Sequence, residues 1–184
     1  MTEKAGVTEG PSLDKEWDYL HWETLLAIRA QSMGRDQNEL VWKMRALPAD
    51  LVMAYRETEF VLDIGVEECV VRIPSGVPKS LTKFLKSQKA KTWSIISAYN
   101  PYSRKLSTDE NQRRESLLQQ LMAVSQCKFY PAVGRSVAGD WQEPSLLVLD
   151  LSYDMARAIG TAFGQNAVVF GERGAVVEMI FCDR

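Results

Sequence analysis

The chain has 184 residues, a formal net charge of -2 at pH 7 and a pI near 5.6. A chain of this length can bury about 70% of its unfolded surface, so one hydrophobic core can form without a disulfide or a structural metal. The slightly acidic balance argues against a protein whose main task is to wrap nucleic acid, although it permits a local basic patch.

The cysteines and the N-terminal sequence bear on location. Three cysteines are present, an odd number with no C-x-x-C pair, and this pattern is typical of reduced, intracellular thiols. The first twelve residues lack the basic and apolar regions of a signal peptide, and no apolar run approaches ~20 residues. We therefore expect a cytoplasmic protein without a membrane segment.

The N-terminal part of the chain predicts a helix pair. Residues 1–11 are expected to be disordered, and Ser12 can cap a helix from about Leu13 to Gln31. Asp36 and Glu39 resemble a capping box that starts a second helix, which Pro48 stops. The predicted division is therefore a helix pair over residues 12–47, followed by an α+β domain over residues 48–184.

The first segments of that domain predict a short helix, a hairpin and a longer helix. A short helix is expected over residues 49–57. Residues 60–64 and 69–73 alternate apolar side chains on either side of Gly65, which indicates two antiparallel strands. Pro78 then marks the start of a helix over residues 79–87.

The remainder predicts a regular series of strands and helices. Strands are expected at 92–99, 128–133, 146–151 and 167–170, with helices at 108–124 and 153–163. This order is β-α-β-β-α-β, the ferredoxin-like split pattern. A last strand within residues 175–181 and the upstream hairpin would extend the sheet. We expect the helices to cover one face of a mixed, mainly antiparallel sheet.

Polar residues follow the first strand of this series. Asn100-Pro101 ends the strand, and Ser107 with Glu110 forms a capping box for the next helix. Asn111 and Arg114 then precede Leu118 on one helix face, so two polar groups begin an apolar stripe. Two interpretations stay open. Either Asn111 holds the Asn100 loop in place, or both amides contact a ligand.

A second polar segment, Gly134 to Ser145, is expected to form a loop between two strands. Arg135 offers a planar fork to a carboxylate or phosphate, and Trp141 offers a flat apolar surface. The alternative is an ion pair of Arg135 with Asp140 or Glu143, with Trp141 plugging the loop. The two acids are weak evidence for acid-base chemistry or Mg²⁺, and we predict no metal site.

The third polar segment is Phe163-Gly164-Gln165-Asn166. Gly164 suits the left-handed position after a helix, and Asn166 can help to turn the chain. The amides of Gln165 and Asn166 also offer donors and acceptors that suit a base edge or another amide.

These segments together resemble a bacterial family, domain-of-unknown-function family 3293. Its patterns are approximately TAWNP, S-x-x-E-N-x-x-R, GR-x-x-x-G-x-W-x-EPS and FGQNAVV, and this chain reads SAYNP at residues 97–101 and keeps the other three from Ser107, Gly134 and Phe163. The resemblance covers roughly residues 54–181. It implies a family and the limits of its motifs, and it implies no particular chemistry.

Other features narrow the function. The sole histidine, His21, lies outside the segment that resembles the family, which argues against a Ser-His-Asp or Cys-His site. No P-loop and no G-x-G-x-x-G occurs. A lysine stripe at Lys79, Lys83 and Lys86 is typical of a solvated helix face. We do not expect nucleic acid as a partner, because the predicted central strand over residues 146–151 lacks stacking aromatics.

The sequence thus predicts that the domain binds a small polar or anionic ligand, such as a nucleotide-like molecule, and leaves open whether the protein is an enzyme and which cofactor it uses. The candidate binding residues are Asn100, Asn111, Arg114, Arg135, Trp141, Glu143, Gln165 and Asn166. The alternative is a non-catalytic interaction or regulatory module. In it the N-terminal helices, with Trp17, Trp22 and Trp42, bind a protein partner or a second copy of the chain.

Overall fold

The structure is a computed structural model that describes residues 54–55, 57–65, 68–73, 75–175 and 177–182. The predicted disordered start and N-terminal helix pair lie outside the described residues. The same holds for most of the short helix predicted over residues 49–57, of which Ala54 and Tyr55 are helical.

Seven strands form one sheet within the described part of the chain. They are β1 (Thr58–Leu62), β2 (Cys69–Val71), β3 (Thr92–Ile96), β4 (Phe129–Ser136), β5 (Gln142–Leu149), β6 (Ala167–Glu172) and β7 (Glu178–Phe181). Their order across the sheet is β2-β1-β4-β5-β3-β6-β7, and every neighbouring pair is antiparallel. The expected mixed sheet is therefore an antiparallel one.

Three α-helices accompany the sheet between residues 75 and 175: α1 (Lys79–Ser87), α2 (Thr108–Val124) and α3 (Tyr153–Ala162). The predicted capping box of α2 is present, because Ser107 accepts from the Glu110 N–H and the Glu110 side chain accepts from the Ser107 N–H. Ser152 is the N-terminal cap of α3, and its side chain accepts a hydrogen bond from the Met155 N–H. Local capping chemistry thus explains why these helices begin where the sequence predicts.

Strands β4 and β5 extend further than the sequence predicts, and this moves several candidate residues. Gly134 and Arg135 lie inside β4, where they pair with Glu143 and Gln142 of β5. The loop between the strands is therefore shorter than expected. It joins Ser136 to Gln142, and the Ser136 N–H bonds to the Trp141 carbonyl at 3.2 Å.

The sheet is buried on both faces, contrary to the expectation that helices cover only one. Alternate residues of β5 show this, since Leu146 and Val148 pack with α2 and α3 while Leu147 and Leu149 pack in a second core that includes Leu81 of α1. The class is α+β, with α2 and α3 on one face and α1 on the other. A strand buried on both faces reads as a continuous apolar run, so the sequence pattern of β5 did not reveal its two sides.

Candidate functional site

Polar loops meet at one end of the sheet. The antiparallel register places the end of β3 and the end of β4 beside the starts of β1, β5 and β6. The three polar segments of the sequence follow β3, follow β4 and precede β6. They therefore lie at the same end.

Asn100 is the centre of the first loop. Its backbone N–H donates to Asn111 Oδ1 at 2.9 Å, and Asn111 Nδ2 donates back to Asn100 Oδ1 at 2.9 Å. Asn100 Oδ1 also accepts from the Leu106 N–H, and Asn100 Nδ2 donates to Glu143 Oε1 at 2.6 Å. Of the two interpretations of Asn111, the contacts support the one in which it holds the Asn100 loop.

The backbone of this loop is strained. Asn100, Tyr102 and Ser103 have φ values of 45°, 55° and 58°, in the left-handed region that non-glycine residues rarely adopt. Each such residue costs on the order of 1 kcal/mol or more, so surrounding contacts must hold the shape. The Tyr102 N–H supplies one, bonding to the Gly164 carbonyl at 2.7 Å. The first and third polar segments are thus directly joined.

Arg114 links two elements behind this loop. Its Nε donates to the Ala98 carbonyl at 2.7 Å, and its Nη2 donates to the Phe163 carbonyl. Ala98 follows β3, and Phe163 is the C-terminal cap of α3. The guanidinium therefore satisfies backbone acceptors at the ends of a strand and a helix.

Gln165 and Asn166 complete the loop contacts. Gln165 Nε2 donates to the Tyr99 carbonyl at 2.9 Å. The Asn166 side chain is buried, and its Nδ2 donates to Ser103 Oγ at 2.8 Å and to the Tyr55 hydroxyl at 3.3 Å. Asn166 thus joins the strained loop to Tyr55, three residues before the start of β1.

A cleft opens at this end of the sheet, with about 490 Å³ of empty space when the part open to solvent is included. Its lining is mainly apolar and includes hydroxyl, amide, indole and carboxylate groups. The lining residues are Tyr55, Thr58, Phe60, Ile95, Ser97, Gly134, Trp141, Glu143, Ser145, Gln165, Ala167, Val168, Val169 and Met179. An apolar cavity with a few converging polar groups is the usual form of a small-molecule site.

Arg135 lies away from the cleft. Gly134 and Phe60 line the cleft, so the adjacent Arg135 and Glu59 point to the other face of the sheet. Arg135 Nε and Nη2 donate to Glu59 Oε2 at 3.1 and 3.0 Å, and Nη2 also contacts Glu68. The ion-pair partners are therefore Glu59 and Glu68, rather than Asp140 or Glu143. Hydrogen bonds from Arg72 and Arg135 hold the pKa of Glu59 below its ordinary value.

Two carboxylates lie near Tyr99, and one of them, Glu143, lines the cleft. Burial raises the pKa of Tyr99, and the charges of Glu115 and Glu143 raise it further. Burial also raises the pKa of Glu115, one of whose oxygens is buried without a hydrogen-bond partner among the described residues. Within the same residues, no group of three His, Cys, Asp or Glu side chains could hold a metal ion.

The candidate residues of the sequence thus divide into groups. Trp141, Glu143 and Gln165 line the cleft. Asn100, Asn111 and Asn166 hold the loops beside it, while Arg114 and Arg135 make the contacts described above. Sequence reasoning missed the rim hydroxyls of Tyr55, Thr58, Ser97 and Ser145. Ser97 and Ser145 stand within the quoted motifs, which is the only signal that could have identified them.

No described helix is long and apolar enough to cross a membrane. Comparison with curated proteins and with solved structures gave no match. A family model does match residues 96–168, a segment that runs from the end of β3 into β6 and contains Trp141, Glu143 and Gln165. The model is that of Protein of unknown function (DUF3293), and this segment of the chain is similar to that family.

Proposed function

We propose that this protein binds a small polar ligand in the cleft, with Trp141, Glu143 and Gln165 among its contacts. The observation that carries the proposal is an open, apolar-floored cleft at the end of the sheet where the three polar segments meet. The strained Asn100 loop adds support, because backbone strain held by dense hydrogen bonding is common beside binding sites.

The contacts favour a polar ligand over an anionic one. Arg114 donates to two backbone carbonyls and Arg135 to two carboxylates, and neither lines the cleft. The cleft would suit the base of a nucleotide-like ligand rather than its phosphate. The indole of Trp141 offers a stacking surface, and the Gln165 amide offers a hydrogen-bonding edge.

We also infer that the segment from β3 to β6 is of the ferredoxin-like type. Its elements follow the order β3-α2-β4-β5-α3-β6, and the first and third strands, β3 and β5, lie side by side in the order β4-β5-β3-β6. This arrangement hosts unrelated activities, so it supports the fold type and leaves the function to the cleft.

Two other proposals rest on the sequence alone. An interaction or regulatory role for the N-terminal helix pair concerns residues outside those described, and a cytoplasmic location rests on the sequence pattern. Both remain proposals.

Mass spectrometry of small molecules that copurify with the protein tests the binding proposal. Ala167 lies on the cleft floor and is partly exposed, so Ala167→Leu would fill the cleft with little strain. We expect a stoichiometric compound with the wild type that is lost in Ala167→Leu. Ala123→Leu is the matched control, because Ala123 is exposed on α2 and outside the cleft. Retention of the compound by a folded Ala167→Leu variant would contradict binding in the cleft.

A further inference from the structure

Of the four hydroxyl groups that line the cleft, those of Thr58, Ser97 and Ser145 donate their hydrogens within the protein, while the Tyr55 hydroxyl accepts from Asn166 Nδ2. Thr58 Oγ1 donates to the Ala54 carbonyl at 2.9 Å, and Ser97 Oγ donates to the Pro144 carbonyl at 2.9 Å. Ser145 Oγ points to the Glu143 carbonyl at a longer 3.5 Å. Each hydroxyl has one hydrogen, so these three groups offer a ligand mainly lone pairs.

The amide and carboxylate of the rim also present acceptors. The Nε2 of Gln165 is held by the Tyr99 carbonyl, which leaves Oε1 on the opposite side of the planar amide. Glu143 Oε1 accepts from Asn100, while no described residue hydrogen-bonds to its Oε2. A carboxylate only accepts hydrogen bonds. The lining therefore offers acceptors at Glu143, Gln165 and the Thr58 and Ser97 hydroxyls, while its donors, the Tyr55 hydroxyl, the Trp141 indole N–H and the second Gln165 N–H, are all neutral.

The charge of the lining favours a cationic ligand. Glu143 is the sole acidic or basic side chain among the fourteen lining residues. Trp141 is 39% exposed at the same rim, and an exposed indole attracts cations through its ring face. Acceptors, a negative charge and an indole together select for a donor with positive charge.

We propose that the ligand of this cleft carries a protonated amine, or a related nitrogen cation, on an apolar body. This inference rests on the proposed function and narrows it to one chemical class. The cation lies against Glu143 Oε2 beside Trp141, and the apolar body covers the floor at Phe60, Ile95 and Val169. Gln165 Oε1 accepts a second hydrogen bond from the same nitrogen or from a neighbouring donor.

Three probes that share a phenyl ring and a two-carbon arm test the charge preference on the full chain. They are 2-phenylethylamine, which is protonated at pH 7, 2-phenylethanol and 3-phenylpropionate. We expect ligand-observed NMR titrations to give an affinity for the amine roughly 10- to 100-fold above that for the other two, since hydrogen bonds to charged groups are the strong ones.

Glu143→Gln identifies the group responsible. The variant keeps an oxygen that can accept from Asn100 and removes the charge, so we expect about 10-fold weaker amine binding with unchanged alcohol binding. Glu172→Gln is the matched control, because Glu172 is exposed at the far end of β6 and the substitution changes the net charge equally.

The outcomes separate the two proposals. Equal affinities for amine and alcohol, or an amine affinity that Glu143→Gln leaves unchanged, would overturn the cationic ligand and leave the binding cleft standing. A copurified ligand without a basic nitrogen would have the same consequence. Absence of binding by all three probes at about 10 mM, well above the affinity expected of such fragments, would overturn both proposals.

Discussion

Glu115 is a partly buried carboxylate whose charge lowers the free energy of unfolding. It lies on α2, and its Oε2 is buried with no hydrogen-bond partner among the described residues. Burial raises the pKa of its carboxyl, although a hydrogen bond from the Gln119 amide opposes part of the change. The charged form is therefore less stable in the folded chain than in the unfolded chain.

This raised pKa predicts how Glu115→Gln changes stability with pH. Below the unfolded pKa, near about 4.3, the carboxyl is neutral in both states and there is no charge to bury. As pH rises through the folded pKa, the wild type loses stability that the glutamine variant keeps. We expect Glu115→Gln to gain on the order of 1 kcal/mol at pH 7 and almost nothing at pH 4.

Thermal unfolding of both proteins between these pH values checks the prediction. Glu172→Gln, at an exposed position, controls for the change in net charge. A gain for Glu115→Gln that is the same at pH 4 as at pH 7 would show that the carboxyl is not the source of the cost.

Residue contacts could be predicted from the sequence only where the partners are close along the chain. Asn111 and Asn100 are eleven residues apart, and their contact was one of the two alternatives for Asn111. Arg135 and Glu59 are separated by 76 residues, so nearby Asp140 and Glu143 were the natural candidates. The register of β1 against β4 selects the actual partner, and no local pattern encodes that register.

At the scale of elements, helix bounds were predicted better than strand bounds. The helices begin at local caps, such as Ser107 with Glu110, that are legible in the sequence. The sequence predicts this strand only from residue 146, whereas β5 begins at Gln142 and includes Pro144, which cannot donate to a sheet. The Leu149 N–H bonds to Lys128 on the β4 side, so by alternation the nitrogen of Pro144 points to the β3 side. β3 has already ended there, at Ile96, and the proline displaces no ladder bond.

The hydrogen bonds of Arg114 connect the end of β3 to the end of α3, and a substitution of Arg114 tests their contribution to stability. Arg114→Ala leaves the carbonyls of Ala98 and Phe163 without this guanidinium, so we expect the free energy of unfolding to fall by about 1.5–3 kcal/mol. The neighbouring Arg113 is exposed and donates to the Asp109 carbonyl of its own helix. Arg113→Ala is therefore the matched control, with an expected loss below about 0.5 kcal/mol.

Urea unfolding at constant pH measures both changes. The prediction would fail if the two variants lost equal stability, since the contact with the ends of β3 and α3 would then contribute nothing beyond an ordinary surface arginine.

For the whole molecule, composition and element order indicated an α+β domain, while the arrangement of its faces depended on long-range pairing. β1 and β2 add to the β4 edge of the sheet and β7 to the β6 edge, which places α1 against the face opposite α2 and α3. The cleft arises from the same pairing, because Thr58 and Phe60 of β1 meet Glu143 of β5 across β4. Contacts between residues so distant in sequence have no local signature.

The two cores also predict which part of the chain folds on its own. Among the residues that the structure describes, both clusters lie between Leu62 and Cys182. Removal of residues 1–47 leaves all seven strands, the three helices and the cleft residues Tyr55 and Thr58. We therefore expect the shortened chain to unfold cooperatively in urea, with a circular dichroism spectrum of a folded α+β protein.

Removal of residues 1–62 is the control, because it deletes β1 and leaves the β4 edge unpaired, and we expect it to aggregate. Aggregation of both shortened chains would contradict the prediction and would show that residues before Pro48 complete a core.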